Sequence, residues 1–533
     1  MDLVIVALLP FVLALIAPNF VREFGRKPFA WLLGAVALGQ FAWMTTYIPV
    51  LIAEGPLSLT LPWAPSLGLS LSIYLDGLSL LMTLVVTGAA SAIMLYTGHY
   101  FEEDDPAAIF YLRLLMFMSA MLGLVLVGNV LLLFICWELT SILSFLLIGF
   151  KGKYEASRAA GMQALVVTGA GGLALLVGLL LLGGAAGSYE LRDILAAGDV
   201  LRAHPWYPAI TILVILGAFT KSAQFPFHFW LPTAKEAPTP ASSFLHAATM
   251  VKAGVYLLAR MYPALGETAL WETVLISFGL FTFVMGGALG LRHTDLKTIL
   301  AYSTVSQLGA FVFLIGLPES IGLKAAFVGI AAHAMYKGTM FLIAGTVDHS
   351  VGTRDLSRLG GLAPHMPVLA SIAVIVGLSK AGVPPLLGFV AKETLIEAGL
   401  EVPFLTGLIT VAVVTGATLS VALTLVFVIE TFFGKMRDEE LHIHRPEAGI
   451  LTGQAVLAAA SIVFGLFVTD LMKPLIQFAV GEEIKLVLFP GFNLAFGLSM
   501  TALAVGGGIY ALRGLRDAWT RIPLPSASDA FWG

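Results

Sequence analysis

Residues 217–232 read GAFTKSAQFPFHFWLP, an apolar stretch that carries a lysine, Lys221, and a proline five positions later, Pro226. A second stretch repeats the arrangement. SKAGVPP, from Ser379 to Pro385, again sets a lysine five residues before a proline, and Lys380 lies 159 residues after Lys221. Proline removes a helical hydrogen bond and clashes with the preceding turn. In hydrocarbon, backbone freed in this way is tolerated only inside protein or along a cavity. Both segments are therefore expected to be broken helices, each with an ionisable side chain at the break.

Composition sets the surroundings of these stretches. The chain has 533 residues, of which 58% are hydrophobic and 12% charged, a balance outside the range of soluble domains. Apolar runs recur at spacings suited to repeated crossings of a ~30 Å hydrocarbon core, and helices satisfy their own backbone groups there. The fold class expected is an all-α polytopic membrane protein with about 14–16 transmembrane helices. Fifteen segments can be drawn: 2–22, 29–53, 74–97, 110–127, 128–150, 160–186, 207–225, 241–261, 270–291, 297–316, 321–346, 366–400 with a break, 404–433, 449–470 and 488–512. The first has no basic n-region and no small-residue cleavage site, so it reads as a retained span. A net charge of −4 gives no support to a nucleic-acid partner. The one cysteine, Cys136, excludes a disulfide within the chain and offers no metal cluster, and no cofactor is expected.

Lys and Arg collect in alternate loops: Arg22/Arg26/Lys27, Lys151/Lys153/Arg158, Arg292/Lys297, Arg354/Arg358, Lys435/Arg437/Arg445 and the tail Arg513/Arg516/Arg521. The positive-inside rule places these in the cytoplasm, with the N-terminus outside and the C-terminus inside. The acidic run Glu102, Glu103, Asp104, Asp105 dissents. With this topology the two broken segments run in opposite directions, as in inverted repeats around a transport path. The expected organisation is N-terminal helices over 1–109, a first five-helix repeat over 110–262, an inverted second repeat over 270–434, and C-terminal helices with a cytoplasmic tail over 449–533.

Glu138, Lys221, His246, Lys252, His333, Lys337, Lys380 and Lys392 lie inside the segments. Each charge at the bilayer centre costs on the order of 2.5–3.5 kcal/mol on insertion scales, so this number implies a function or a wet interior. Burial and a neighbouring carboxylate act in opposite senses on the proton affinity of a lysine. A lysine such as Lys221 or Lys392 at a break can then load and release a proton. The alternative is a lysine snorkelling to an interface. His333 and Lys337, four residues apart, share a helix face, and histidine beside lysine suits a proton relay. His246 and Lys252, six apart, cannot line one narrow path unless the helix bends; without a bend, one of them is expected to face a neighbouring subunit. Lys252 also reads as a snorkelling residue near the helix end at Arg260. Glu138, in CWELTSILSF from Cys136, is the only acid well inside a span, and its expected partner is Lys221; otherwise it sits protonated against a carbonyl.

Other residues read as structural. Lys297, Lys324 and Asp348/His349 near segment ends suit interface anchors or portals alike. His442 and His444 make a poor metal site. The glycine runs GAGG at Gly169 and GGG at Gly506 fit close helix packing.

Five stretches carry a resemblance to a known superfamily: FTKSAQFPFHFWLP from Phe219, APTPASSFLHAATMVKAGVYLLAR from Ala237, LAYSTVSQLG from Leu300, HAMYKG from His333 and GFVAKE from Gly388. They resemble the antiporter-like subunits shared by respiratory complex I, membrane-bound hydrogenases and Mrp cation/proton antiporters, over about residues 70–435. WELTSILSFLLIG from Trp137 and the lysine of MVKAG from Met250 resemble the large, A-type chain of the Mrp branch. The resemblance implies a coupled pair of Glu138 and Lys221, and Lys252 is counted among the candidate site residues. It also implies a buried hydrophilic axis through His246, His333, Lys337 and Lys392. It further implies membership of a multisubunit Na+/proton antiporter in the cell membrane, with other membrane subunits, protons, Na+ and the lipid bilayer as partners. Two departures stand: such A-type chains usually continue well beyond the antiporter core, whereas this sequence stops at Gly533, and no long lateral amphipathic helix is recognisable. The rival readings are a redox-driven complex I-like or hydrogenase subunit, the membrane part of an inorganic-carbon uptake complex, and a scaffold that carries no protons.

Overall fold

The computed structural model describes residues 2–102, 105–318, 320–512, 514, 518–520 and 522. Glu103, Asp104, Arg513, Arg516 and Arg521, which bear on the loop charges, lie outside the described residues. The chain opens with helix α1 (Asp2–Phe24), then α2 (Arg26–Thr45) running on through one residue into α3 (Tyr47–Glu54). A hairpin of β1 (Leu57–Ala64) and β2 (Leu69–Leu75) follows. The hairpin is not among the expected segments, although LSLTL and LSLSIYL alternate with the period of two that strands require. Next come α4 (Gly77–Tyr100), α5 (Ala107–Leu126), α6 (Val130–Ile148) and α7 (Glu155–Ala186), then two short helices, α8 (Leu191–Ala196) and α9 (Gly198–Ala203).

The first broken unit is α10 (Tyr207–Lys221), a non-helical stretch containing Pro226, and α11 (Trp230–Thr233). The next is α12 (Thr239–Ser243), a wide turn over Phe244–Ala248 and α13 (Met250–Leu265). Then α14 (Ala269–Gly290), α15 (Leu296–Ile315) and α16 (Ser320–Val351) lead to the second proline-broken unit, α17 (Pro367–Ala381) and α18 (Leu387–Leu400). The chain closes with α19 (Thr406–Phe432), α20 (Ala448–Leu466), α21 (Lys473–Val480) and α22 (Leu494–Ala511).

Among the described residues, 12 helices are long and apolar enough to cross a membrane, and the protein is an all-α multi-pass membrane protein with little sheet. The units α10–α11, α12–α13 and α17–α18, built from shorter helices, occupy the remaining expected segments. Burial divides the spans: α15 and α16 are almost wholly enclosed, whereas α1, α2 and α22 turn most of their surface outward.

Both breaks form where proline requires them. Pro226 cannot donate to the Ser222 carbonyl one turn earlier, and that oxygen accepts from Gln224 Nε2 at 2.9 Å instead. Pro385 likewise leaves the Ala381 carbonyl, which accepts from Lys392 Nζ at 3.0 Å. The Thr220 carbonyl, also beside the first break, takes Trp230 Nε1 at 2.9 Å. A third break, in the unit expected to be continuous over 241–261, replaces the helical path at Phe244–Ala248, and Thr249 leaves helical geometry with φ −129° and ψ −98°.

At one end of the bundle, Asp76 caps α4 by accepting from Ser79 N at 2.9 Å. The same carboxylate takes both terminal nitrogens of Arg260 on α13, which is 3% exposed. Arg260 also donates to Ser79 Oγ at 2.7 Å and Tyr256 Oη at 3.2 Å. Removing one partner of a buried pair leaves an uncompensated charge, at a cost of about 3–5 kcal/mol. Asp76→Asn should accordingly lower the Tm of the detergent-purified protein sharply. The double change Asp76→Asn with Arg260→Met should recover most of that loss.

Candidate functional site

Lys221 ends α10 with its side chain fully buried. Its ammonium donates to the Trp137 carbonyl at 2.7 Å and to Ser141 Oγ at 2.8 Å, both on α6, and lies 4.7 Å from the centre of the Trp137 ring. Snorkelling to an interface is thereby excluded. Glu138 lies close enough for its charge and that of Lys221 to act on each other, but the two form no direct ion pair, and Glu138 Oε1 is buried without a hydrogen-bond partner. The physical reason is the position of Glu138 on α6. It follows Trp137 directly, and its side chain turns toward α7 rather than α10, where a Cβ on Gly172 would collide with Oε1. Gly171, next to it, leaves the same kind of gap for Thr220, which precedes Lys221. The GAGG run is thus close packing with a specific content: it seats the acid and the end of the lysine helix side by side.

The third break brings together residues that an ideal helix would separate. His246 lies in the wide turn and Lys252 in the first turn of α13, both buried in the interior. Neither faces outward, which corrects the expectation that one of them meets a neighbouring subunit or the interface. Lys252 Nζ donates to the Ala247 carbonyl, and to the Ile330 carbonyl of α16 at 3.2 Å. His333 Nδ1 lies 3.4 Å from the same Ala247 oxygen, so one carbonyl joins Lys252 to the histidine of the neighbouring helix. The His246 ring packs 5.5 Å from that of Phe341 on α16, and its two nitrogens have no hydrogen-bond partner among the described residues.

One turn along α16 from His333, Lys337 donates to Ser303 Oγ at 2.8 Å and approaches the Leu300 carbonyl at 3.4 Å, both on α15. Lys392, in α18, bonds the Ala381 carbonyl at the second break and the Ser499 carbonyl of α22 at 3.4 Å. The helices thus place Lys252, His333 and Lys337 in one continuous interior stretch, with Lys221 before it against α6 and Lys392 after it against α22. Each ammonium is held by carbonyl or hydroxyl oxygens. Amine and imidazole groups held in this way can carry a proton or give it up. Among the described residues, no group of three or more His, Cys, Asp or Glu side chains could hold a metal.

Two further lysines belong in this interior. Lys297, read as a helix-end anchor or portal, is 2% exposed and donates to the Ala237 carbonyl at 3.0 Å. Its position in the first turn of α15 suggests a surface, but the α11–α12 connection covers it. Lys380 is likewise buried in α17. Glu138 is also not the only acid within the spans, since Glu393 and Glu430 are buried in α18 and α19; Glu430 pairs with Arg437 at 3.2 Å. Lys324 forms a 3.0 Å ion pair with Glu397, and Arg354 joins Asp295 at 2.6 Å and Asp348 at 3.5 Å.

Comparison with known proteins gives this arrangement its family. Residues 127–420 match the family described as NADH:quinone oxidoreductase/Mrp antiporter, TM, and residues 63–111 match the NADH-ubiquinone oxidoreductase (complex I), chain 5 N-terminus. The A/B subunit of a probable K+/H+ antiporter of Rhizobium meliloti is 40% identical over 517 residues, covering 95% of this chain and 52% of the relative. The A1 subunit of a Na+/H+ antiporter of Staphylococcus aureus is 37% identical over 532 residues, covering 94% and 66%. The chain thus spans about half to two thirds of the length of these relatives. A solved Mrp complex from Dietzia sp. DQ12-45-1b contains a chain that superposes with a TM-score of 0.91 at 34% identity, over 100% of this chain and 59% of that one. An archaeal membrane-bound sulfane sulfur reductase shares the fold, with a TM-score of 0.79 at 22% identity, over 95% and 99% of the two chains. With more than half of its length matched by the family model, the chain belongs to the NADH:quinone oxidoreductase/Mrp antiporter transmembrane family.

Proposed function

We propose that this chain is a proton-translocating subunit of a multisubunit monovalent cation/proton antiporter. The observation that carries the reading is the run of buried ammonium and imidazole groups held by neutral oxygens, from Lys221 through Lys252, His333 and Lys337 to Lys392. Stable buried charges in proteins are ordinarily paired with opposite charges, and a chain of unpaired ones suits side chains that change protonation state. The names of the relatives, Na+/H+ and K+/H+ antiporter subunits, support exchange of a monovalent cation; Na+ is the cation we assign. Partner subunits in the same cell membrane complete the complex.

In this mechanism Glu138 governs the proton affinity of Lys221. When the carboxylate approaches, Lys221 keeps its proton; in the separated arrangement, Trp137 and Ser141 hold the ammonium alone, and the proton is free to leave toward His246, Lys252 and His333. Lys337 and Lys392 continue the path to the far surface. Residues 110–262 and 270–434 form two repeats of opposite orientation, flanked by 1–109 and 449–533, with the N-terminus outside and the C-terminus in the cytoplasm. Lysines five residues before prolines in both repeats, and the alternation of basic loops, support this assignment.

Proteoliposomes carrying the purified complex, with the membrane potential clamped, test the reading through internal pH under an imposed Na+ gradient. Wild type should alkalinise in response, and Lys221→Ala, in an assembled complex, should slow the response by about 10²-fold or more, the scale of losing a positioned acid–base group. A wild type indifferent to Na+, K+ and Li+ would sink the antiporter reading. Gly172→Ala probes the acid without touching it: the added methyl displaces the Glu138 carboxylate. The variant should assemble normally and lose transport severalfold, whereas wild-type rates would remove Glu138 from the mechanism.

A further inference from the structure

Lys221 has a chemical double in the second half of the chain. Lys221 donates to a backbone carbonyl and to the hydroxyl one turn later on the same neighbouring helix, Trp137 O and Ser141 Oγ. Lys380 does the same on α19, donating to the Ser420 carbonyl at 3.0 Å and to Thr424 Oγ1 at 2.7 Å. In both cradles the hydroxyl itself donates to that carbonyl, Ser141 to Trp137 at 3.3 Å and Thr424 to Ser420 at 2.7 Å. The residue after Trp137 is Glu138, but the residue after Ser420 is Val421. The second cradle therefore repeats the first without its acid.

A hydroxyl partner serves both protonation states of a lysine. An ammonium has three donors and no acceptor, so it needs the hydroxyl oxygen; a neutral amine has a lone pair, and the same hydroxyl can rotate to donate to it. A carbonyl alone can serve only the donor side. Lys380 also has a neighbour to exchange with. A cavity of about 40 Å³ is lined by Lys380 and Lys392 together with Gln307, Tyr336 and Ser420, and its volume admits water.

The ionisable groups turned toward Lys380 are Lys392 of α18 across this cavity and His333, Tyr336 and Lys337 of α16. On α19 the one ionisable side chain, Glu430, is engaged by Arg437, and α20 has none. No carboxylate pairs with Lys380 among the described residues.

We propose that Lys380 is a further proton-carrying residue of the path, placed between Lys337 and Lys392. This rests on the transport function proposed above. In the step it performs, the ammonium of Lys380 gives its proton through water in the shared cavity to the neutral amine of Lys392, and Thr424 turns its O–H from the Ser420 carbonyl toward the vacated lone pair. Lys380 is then reloaded from the Lys337 side.

The test uses the intact complex in proteoliposomes, driven in parallel by Na+ and K+ gradients over a series of pH values, with Lys221→Ala as the transport-dead control. Arginine keeps a positive charge and the donors but does not release its proton. Lys380→Arg and Lys380→Gln should therefore both slow transport by about tenfold or more in assembled complexes. Thr424→Val keeps the lysine and the shape of its neighbour and removes the reversible hydroxyl; it should displace the pH of half-maximal rate. Wild-type rates in either lysine variant, or a Thr424→Val profile that superimposes on wild type, overturn the assignment while leaving the antiporter reading intact. Should the lysine variants fail to assemble, the Thr424→Val profile decides alone. A wild type that answers neither cation overturns the transport function, and the role of Lys380 with it.

Discussion

Carbonyl oxygens stripped of their helical donors have to find new ones where water is scarce, and the interior of this protein is arranged around that constraint. Pro226 and Pro385 each free an oxygen one turn back, and the donors that answer are polar side chains drawn into the core, Gln224 in one case and Lys392 in the other. The unwound turn at Phe244–Ala248 behaves alike, its Ala247 carbonyl engaging Lys252 and facing His333. At the second break and at the wide turn, the opened backbone gives a buried lysine an acceptor and the lysine gives that backbone a donor.

That reciprocity explains how much could be read from the sequence. A lysine five residues before a proline is a local pattern, and it located both breaks together with Lys221 and Lys380. Hydropathy placed the spans because backbone satisfaction in lipid leaves few alternatives to a helix. The turn at Phe244–Ala248 has no proline within it and no glycine, only tertiary partners on α16, so nothing local announced that His246 and Lys252 would share one interior. Lys297 was ambiguous for a related reason. One turn into a helix, a lysine is at the surface or inside according to what the preceding connection covers, and that is decided by residues some sixty positions away, at Lys235 and Ala237.

The separation of Glu138 from Lys221 illustrates a different limit. Sequence shows an acid and a base in spans that belong together, but the direction of the carboxylate depends on where a neighbouring helix leaves room. Gly172 provides that room on α7, and Trp137 with Ser141 occupies the lysine from α6. Small residues therefore do more than allow close helix approach here: they make the room in which the carboxylate sits while the lysine keeps its cradle.

The distribution of cations between helix ends and interior carries the same logic to the whole molecule. At the ends, Arg260, Arg354, Arg358 and Arg437 each meet a carboxylate: Asp76, Asp295, Asp438 and Glu430. Arginine does not give up its proton in a protein and binds carboxylates through a rigid fork, so such pairs are fixed fastenings. In the interior the cations are Lys221, Lys252, Lys297, Lys337, Lys380 and Lys392, and their partners are carbonyls and hydroxyls rather than acids. A carboxylate beside each lysine would stabilise the charged form and hold the proton in place. Neutral oxygens satisfy the donors without that bias, and a hydroxyl can reverse its role when the proton departs. Glu138 is set beside the helix that carries Lys221, and in the proposed mechanism it stands where the series begins, so that its control on proton loading affects every step that follows.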